Sequence, residues 1–280
     1  MERKTVVIAQ SDLERQKAVC EQIREYWLAQ GRTPLAFVDT YGCQQNEADS
    51  ERIRGMLQSC GYQALDVDFE YLGAPLAAAY AAFLGKLRAA VNASGWPLLA
   101  ALAPKTSREQ AGTLYEGHDY AAVAANTDAV LLMTYEWGYT YGPPMAVAPL
   151  PSVRRVVEFA LTEMPPEKIF LGFPNYAYDW TLPYAPGTTR AQSIGNEAAV
   201  QLAVNVGAEI RFDEQAQTPW FAYTDGESRA HEVWFEDARS SLAKYRLVTE
   251  YGLCGIGYWN FMRPFTASFA LLNAVFRLEP

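Results

Sequence analysis

The chain has 280 residues, half of them hydrophobic, and a formal net charge of -9 at pH 7. That charge argues against general binding to phosphate backbones, so no nucleic-acid partner is expected. Apolar runs stop short of the roughly 18 residues of a membrane span, and the opening "MERKTVVIAQSDLERQ" lacks the apolar core of a secretory signal, so the expected address is cytoplasmic with no membrane partner.

Residues 11–30 form a predicted helix, opened by Ser11 or Asp12, with Leu13, Val19, Ile23, Trp27 and Leu28 on a near-3.6-residue period. "TVVIA" and "LAFVDT" are candidate strands, and residues 47–62 a helix stopped at Gly61. A strand carrying "LDVDFE" follows, then a helix marked by Leu76, Tyr80, Phe83, Leu84, Leu87 and Val91. Strands are predicted at 97–104, 128–137, 168–180 and 254–261, with helices near 152–163 and 236–251. These strands are continuously apolar, as strands buried on both faces of a parallel sheet are. The alternation predicts a (β/α) barrel or a doubly wound sheet. Residues 207–235 break the rhythm as two or three antiparallel strands with a turn at Asp225-Gly226, a small α+β insertion before the last helix and strand. Counting gives five parallel strands from residue 64 and two before it, one short of a closed eight-stranded barrel. Such an incomplete barrel would leave open edges for self-association.

Four cysteines, Cys20, Cys43, Cys60 and Cys254, show no CxxC spacing, and only His118 and His231 could join them as nitrogen ligands. Free reduced thiols are the expectation, with no metal or other cofactor. The 17 tyrosines and 7 tryptophans supply flat rings that either fill cores or stack on sugars.

Within "YQALDVDFEY" (62–71), Asp66, Asp68 and Glu70 alternate with apolar residues. On a strand they share one face at about 6.8 Å intervals. Two full charges at that spacing repel by about 2.4 kcal/mol at an effective dielectric near 20. Such an array retains a proton near neutrality in a partly dry site, which is what a general acid needs. Glu70 lies last, at the carboxyl end where barrel enzymes keep their catalytic groups. The spacing equally suits a Mg²⁺ or Ca²⁺ site, or the solvated face of an edge strand.

"YQALDVDFEY" resembles the DxxDxDxE signature of glycoside hydrolase family 18, with Gln63 where the first acid falls. "LLMTYEW" (131–137) resembles that family's Met-x-Tyr-Asp strand, with Glu136 in place of Asp, and "GIGYWNF" (255–261) its last barrel strand. "AQTPWFAYTDGE…HEVWFEDARS" and "YWNFMRPF" are similar, more narrowly, to spore-cortex peptidoglycan N-acetylglucosaminidases. The resemblance implies a TIM-barrel fold, a peptidoglycan or chitooligosaccharide substrate, spore association, and substrate-assisted retaining catalysis. It assigns Glu70 as proton donor, Asp68 as partner of the acetamido group, Asp66 as modulator of Asp68, and Tyr135 as hydrogen-bond donor to the acetamido group. Trp259 would be the sugar floor, with Glu136 as a further substrate contact; Tyr176, Tyr178 and Trp180 are candidates for additional sugar contacts or for packing in the core or on the surface.

The opening is different. "LAFVDTYGCQQNEADSERIRGMLQSCGY" (35–62) resembles the N-terminal segment of radical S-adenosylmethionine tRNA methylthiotransferases, with Cys43 at a cluster-ligand position but without the partner cysteines. The sequence therefore reads as chimeric, a methylthiotransferase-like α/β segment (1–62) joined to the C-terminal part of a family 18 barrel (63–280, insertion about 193–235).

Overall fold

The structure, a computed structural model, describes residues 10–29, 64–93, 95–260 and 262–276. Cys43, Cys60, Gln63, the strands "TVVIA" and "LAFVDT" and the helix at 47–62 lie outside them. Two compact units divide the chain: one runs up to Asp68 and includes Lys86–Leu99, and the other comprises Phe69–Gly85 and residues from Ala100 onward.

In the smaller unit, α1 (Gln10–Ala29) matches the predicted helix. Two of its periodic apolar residues, Val19 and Leu28, are nevertheless exposed. Strand β1 (Leu65–Val67) starts beside the entry to β2 (Leu98–Leu102), with the Leu65 amide donating to the Pro97 carbonyl at 3.1 Å. Helix α2 (Ala77–Asn92) connects the two strands in sequence.

The larger unit is built on parallel strands. β3 (Ala129–Leu132) pairs with β4 (Ile169–Pro174), and β4 with β10 (Gly255–Trp259), in parallel register that sets Pro174 opposite Trp259. On its other side β3 approaches the end of β2, where the Met133 amide donates to the Leu102 carbonyl at 2.9 Å. Every residue of β2 and β3 is buried, as the continuous apolar runs require. Helix α3 (Tyr120–Asn126) is capped by Asp119, whose carboxylate accepts from the Ala122 amide at 2.9 Å. Helix α4 (Leu150–Glu163) buries Val153, Val156, Val157 and Ala160, one face at i, i+3, i+4 and i+7.

The run 168–180, a single strand by its apolar content, is two strands in different sheets. β4 stops at Pro174 and β5 (Ala177–Leu182) begins an antiparallel sheet of order β6-β5-β9-β8-β7. The other members are β6 (Gln192–Ile194), β7 (Arg211–Asp213), β8 (Thr218–Thr224) and β9 (Ala230–Trp234), with α5 (Asn196–Val206) between β6 and β7. The antiparallel insertion thus extends well upstream of residue 193. α5 covers one face through Ala199 and Ala203 against Ala177, Phe221 and Val233. On that face Tyr223 donates to Asp179 at 2.8 Å, and His231 lies 2.9 Å from Asp179 and 3.2 Å from Asp225. The other face carries the in-register row Tyr178, Trp234, Trp220 and Arg211, in which the two indoles stack at 5.7 Å and Arg211 covers Trp220. With their faces occupied by each other and by Arg211, these rings form a packed stack.

Helix α6 (Ala238–Tyr251) opens with a capping box between Asp237 and Ser240 and ends at Gly252, whose φ of 66° is the left-handed stop. Its Lys244 pairs with Glu236 at 2.8 Å, both nearly solvent-free. Burial pushes the Glu236 carboxyl up against the opposing pull of Lys244. Helix α7 (Thr266–Val275) closes the described chain, burying Phe265 with Phe173 and Tyr245.

A Cβ on Gly172, in the middle of β4, would sit 2.3 Å from the Leu132 carbonyl and 3.1 Å from the Thr134 amide. Backbone cannot yield as a side chain can, so Gly172→Ala should cost about 1–3 kcal/mol or more. Chemical denaturation would read this as a lowered midpoint.

Candidate active site

The acidic strand is shorter than its alternation suggests. β1 ends at Val67, so only Asp66 lies in the strand, with Asp68 directly after it and Glu70 in the irregular segment that follows. All four carboxylate oxygens of Asp66 and Asp68 are shielded from solvent. In the larger unit, the half-buried Glu70 is followed by Tyr71 in left-handed backbone, φ 56°.

Glu70 is held through its preceding peptide. His118 donates from Nε2 to the Phe69 carbonyl at 2.8 Å, while its Nδ1 accepts from the Ala103 amide at 2.9 Å. An accepting Nδ1 requires the neutral ring protonated on Nε2. Burial drives the His118 pKa down, opposed by the bond to Phe69 and aided by the charge of Lys105. The ring has no solvent exposure and lies 6.0 Å from Tyr80.

Glu136, Tyr176, Tyr178 and Trp259 meet in one pocket. Glu136 follows β3, Tyr176 follows β4, Tyr178 lies on β5, and Trp259 is the last residue of β10. The pocket therefore gathers at the carboxyl ends of parallel strands, the usual site location in such folds. Its volume is about 150 Å³, and Ser193, Asn260 and Arg263 complete the lining.

Tyr176 donates to Glu136 Oε1 at 2.5 Å, and Tyr178 to the same oxygen at 3.1 Å. The two rings are edge-to-face at 5.6 Å. Both are buried, so their hydroxyls serve Glu136 while their rings pack with Trp180 and Val147. Burial raises the Glu136 pKa, and the two tyrosine hydrogen bonds partly offset it. The Tyr178 hydroxyl is pushed up to about 12 by burial and then by the Glu136 charge, so it remains a donor at neutral pH. Glu136 itself is in left-handed backbone, φ 67°, which turns its side chain out of the run of β3.

Tyr135 packs against the Tyr176, Tyr178 and Trp180 cluster together with Trp259. Arg263 donates to Ser193 Oγ at 2.9 Å and to the Ile194 carbonyl at 2.5 Å. Asn175 is buried beside it, donating from Nδ2 to the carbonyls of Asn260 and Arg263 at 2.9 and 2.8 Å. Cys20 and Cys254 are free thiols, and no group of three metal-ligating side chains occurs among the described residues. No described helix is long and apolar enough to cross a membrane. Asn175 and Ser193 escape the sequence reading as site residues, and His118 entered it only as a possible metal ligand. Asn260 and Arg263 had a signal, their place in "YWNFMRPF", without a role assigned to either.

Two pH effects follow. A raised folded pKa means that the wild type loses stability as pH rises from about 4.3, the free glutamate value, through the higher folded value. Glu136→Gln should therefore melt higher than wild type at neutral pH, with the gap closing at acid pH. For His118 the sign reverses: its lowered folded pKa gives stability that is present above about 6.5 and lost as pH falls from there through the folded value. Urea midpoints should fall more steeply between neutral and mildly acid pH in wild type than in His118→Gln.

A family model for glycosyl hydrolases family 18 matches residues 45–263. The cortical fragment-lytic enzyme of Bacillus subtilis (strain 168) is 48% identical over 218 residues, 78% of this chain and 51% of that protein. Its namesake in Bacillus anthracis is 42% identical over 76% of this chain and 49% of its own length. The crystal structure of the spore cortex-lytic enzyme SleL from Bacillus megaterium QM B1551 superposes with a TM-score of 0.74 at 40% identity, covering 83% of this chain and 54% of that one. A chitinase from Chromobacterium violaceum ATCC 12472 shares the fold, with a TM-score of 0.75 at 22% identity, covering 90% of this chain and 82% of that one. The chain spans about half the length of the curated relatives it matches. The methylthiotransferase resemblance gains no support, since the family match begins at residue 45, inside the stretch on which it rested. With a TIM-barrel-like (β/α) architecture, incomplete in the described strands, and a site at the carboxyl ends of its strands, the chain belongs to glycosyl hydrolases family 18.

Proposed function

We propose that the chain hydrolyses N-acetylglucosamine-containing glycan of the peptidoglycan or chitin type, in association with spores. The observation that carries this reading is the pocket at the strand ends, where a carboxylate held by two tyrosine hydroxyls shares a wall with Trp259. Family membership and the similarity to cortex-lytic enzymes support the substrate class.

In this reading Glu70 donates its proton to the glycosidic oxygen as the bond to the anomeric carbon breaks. The substrate's own acetamido oxygen bonds to that carbon from the opposite face, giving an oxazolinium. Asp68 orients the acetamido group and stabilises its developing positive charge, with Asp66 tuning the protonation of Asp68. Tyr135 donates a hydrogen bond to the same group. Water then adds to the anomeric carbon, giving its proton to the Glu70 carboxylate, and the oxazolinium opens to the retained product. Trp259 offers the apolar face for the sugar ring, and Glu136 accepts from its hydroxyls.

Wild-type protein should release reducing ends from spore cortex or a chitooligosaccharide, and Glu70→Gln should lower the rate by at least about 10²-fold, the lower end of general acid–base contributions. Binding without release by the wild type would favour a glycan-binding protein. Unchanged release in the variant would remove Glu70 from this role.

A further inference from the structure

A layer of buried side chains behind Glu70 takes no part in the proposed chemistry. His118, Tyr120 and Lys105 are all but solvent-free. Tyr120 donates to the Ala103 carbonyl at 2.5 Å and accepts from the Lys105 amide at 2.9 Å. Lys105 directs its ammonium to two carbonyls, that of His118 at 3.1 Å and that of Arg108 at 3.0 Å. The stretch just after β2 and the entry to α3 are thereby locked together. From that block His118 reaches the peptide between Phe69 and Glu70, bridging the Ala103 amide and the Phe69 carbonyl.

The same block meets the chain again beyond Glu70. A Cβ on Gly117 would sit 2.2 Å from the Leu72 carbonyl oxygen and 2.3 Å from the Leu72 Cβ. Residues 117 and 118 therefore lie against the chain on both sides of Glu70, one by close packing and the other by a hydrogen bond. Between those two points Tyr71 holds a φ of 56°. That conformation costs a non-glycine residue about 1–3 kcal/mol and persists only where its surroundings impose it.

The bridge fixes a direction. A pinned carbonyl sets the plane of the Phe69–Glu70 peptide, and with it the direction in which the Glu70 Cα presents its side chain. A general acid must come within about 2.6–3.2 Å of the atom it protonates. A misplacement of about 1 Å can lower the rate by about 10²-fold.

We propose that His118 is a positioning residue for general-acid catalysis: its bridge from Ala103 to Phe69 holds the Glu70 carboxyl within reach of the glycosidic oxygen, and Lys105 and Tyr120 hold the bridge. The inference rests on the proposed reading of Glu70 as proton donor and adds the residues that aim it. In the step concerned, the bond between the anomeric carbon and the glycosidic oxygen breaks with its electron pair on oxygen, which takes the Glu70 proton. A poorly aimed carboxyl group therefore harms only those leaving groups that need the proton.

The test is leaving-group dependence, read as kcat/KM so that only the steps through bond cleavage count. Chitotriose releases a sugar whose alkoxide leaves poorly without a proton, whereas the dinitrophenyl glycoside of chitobiose loses a stable phenolate and needs none. His118→Leu should lower kcat/KM for chitotriose by about 10²-fold and leave that for the dinitrophenyl glycoside close to the wild-type value. His118→Gln, whose amide both donates and accepts, should recover most of the loss. Glu70→Gln should show the same split as His118→Leu. A histidine that only stabilises the fold would make His118→Leu lose both substrates alike; that result, or no loss on chitotriose, overturns the inference. Where thermal melts show His118→Leu unfolded, Tyr120→Phe and Lys105→Met, each removing one support of the bridge, decide it. A loss confined to chitotriose then supports the inference, and an equal loss on both substrates, or none, overturns it. A wild type inactive on both substrates, or a Glu70→Gln variant without the split, shows instead that the proposed reading is wrong, and the inference falls with it.

Discussion

The doubly hydrogen-bonded carboxylate of Glu136 is the constraint around which the site is arranged. Its Oε1 accepts from two hydroxyls, one on Tyr176 just before β5 and one on Tyr178 within it. Tyr176 and Tyr178 can do this together because residues two apart on an extended chain point the same way. Their placement requires the chain to leave β4 at Pro174 and start a second sheet at Ala177. Glu136 meets them from the other side because its backbone adopts a conformation rare outside glycine. The loop beyond it then folds back closely, with the Gly138 amide donating to the Ala146 carbonyl at 2.9 Å. A Cβ on Gly138 would sit 2.1 Å from the Met145 carbonyl, so glycine is required there.

The candidate proton donor is supported by a different device. His118 bridges an amide at the end of β2 and the carbonyl just before Glu70, and it can do so only as one neutral tautomer. A lysine or arginine could donate to Phe69 but could not accept from Ala103, so this position needs a side chain that does both. Its support of Glu70 is therefore tied to remaining unprotonated.

Much of this was legible in the sequence, and the misses have physical causes. Continuous apolar runs identified four of the five strands of the first sheet, because strands covered on both faces have no polar alternation to obscure them, and the fifth, β1, was found by its alternating acids. The same continuity hid the break at Asn175, since leaving one buried sheet for another changes neither hydropathy nor period. Of the pocket's lining residues, Glu136 and Trp259 were named from motif resemblance, and Tyr176 and Tyr178 as aromatic candidates for sugar contact or packing. The two tyrosine hydroxyls reach Glu136; a Tyr hydroxyl can face a ligand or a neighbouring carboxylate, and spacing does not distinguish the two. His118 and Arg263 act through backbone groups distant in sequence, which no local pattern encodes. The short α3, by contrast, carried an Asp119 cap that could have been read.

Asn175 joins two points of the chain 85 residues apart, holding the start of the antiparallel excursion against the loop that follows β10. Its own amide donates to the Trp259 carbonyl at 2.6 Å, so the exit from β4 lies beside the carboxyl end of β10, and the two ends of the antiparallel excursion are themselves paired, with Tyr178 opposite Trp234. A segment whose two ends are clasped in this way behaves as a module: its length enters the free energy only through the slow logarithm of loop closure. Additions to the tips of the β5–β6 or β8–β9 connections would lengthen the module without moving Tyr176 or Trp259. The chemistry at the strand ends and the shape of the surface beside it are thereby free to evolve at different rates.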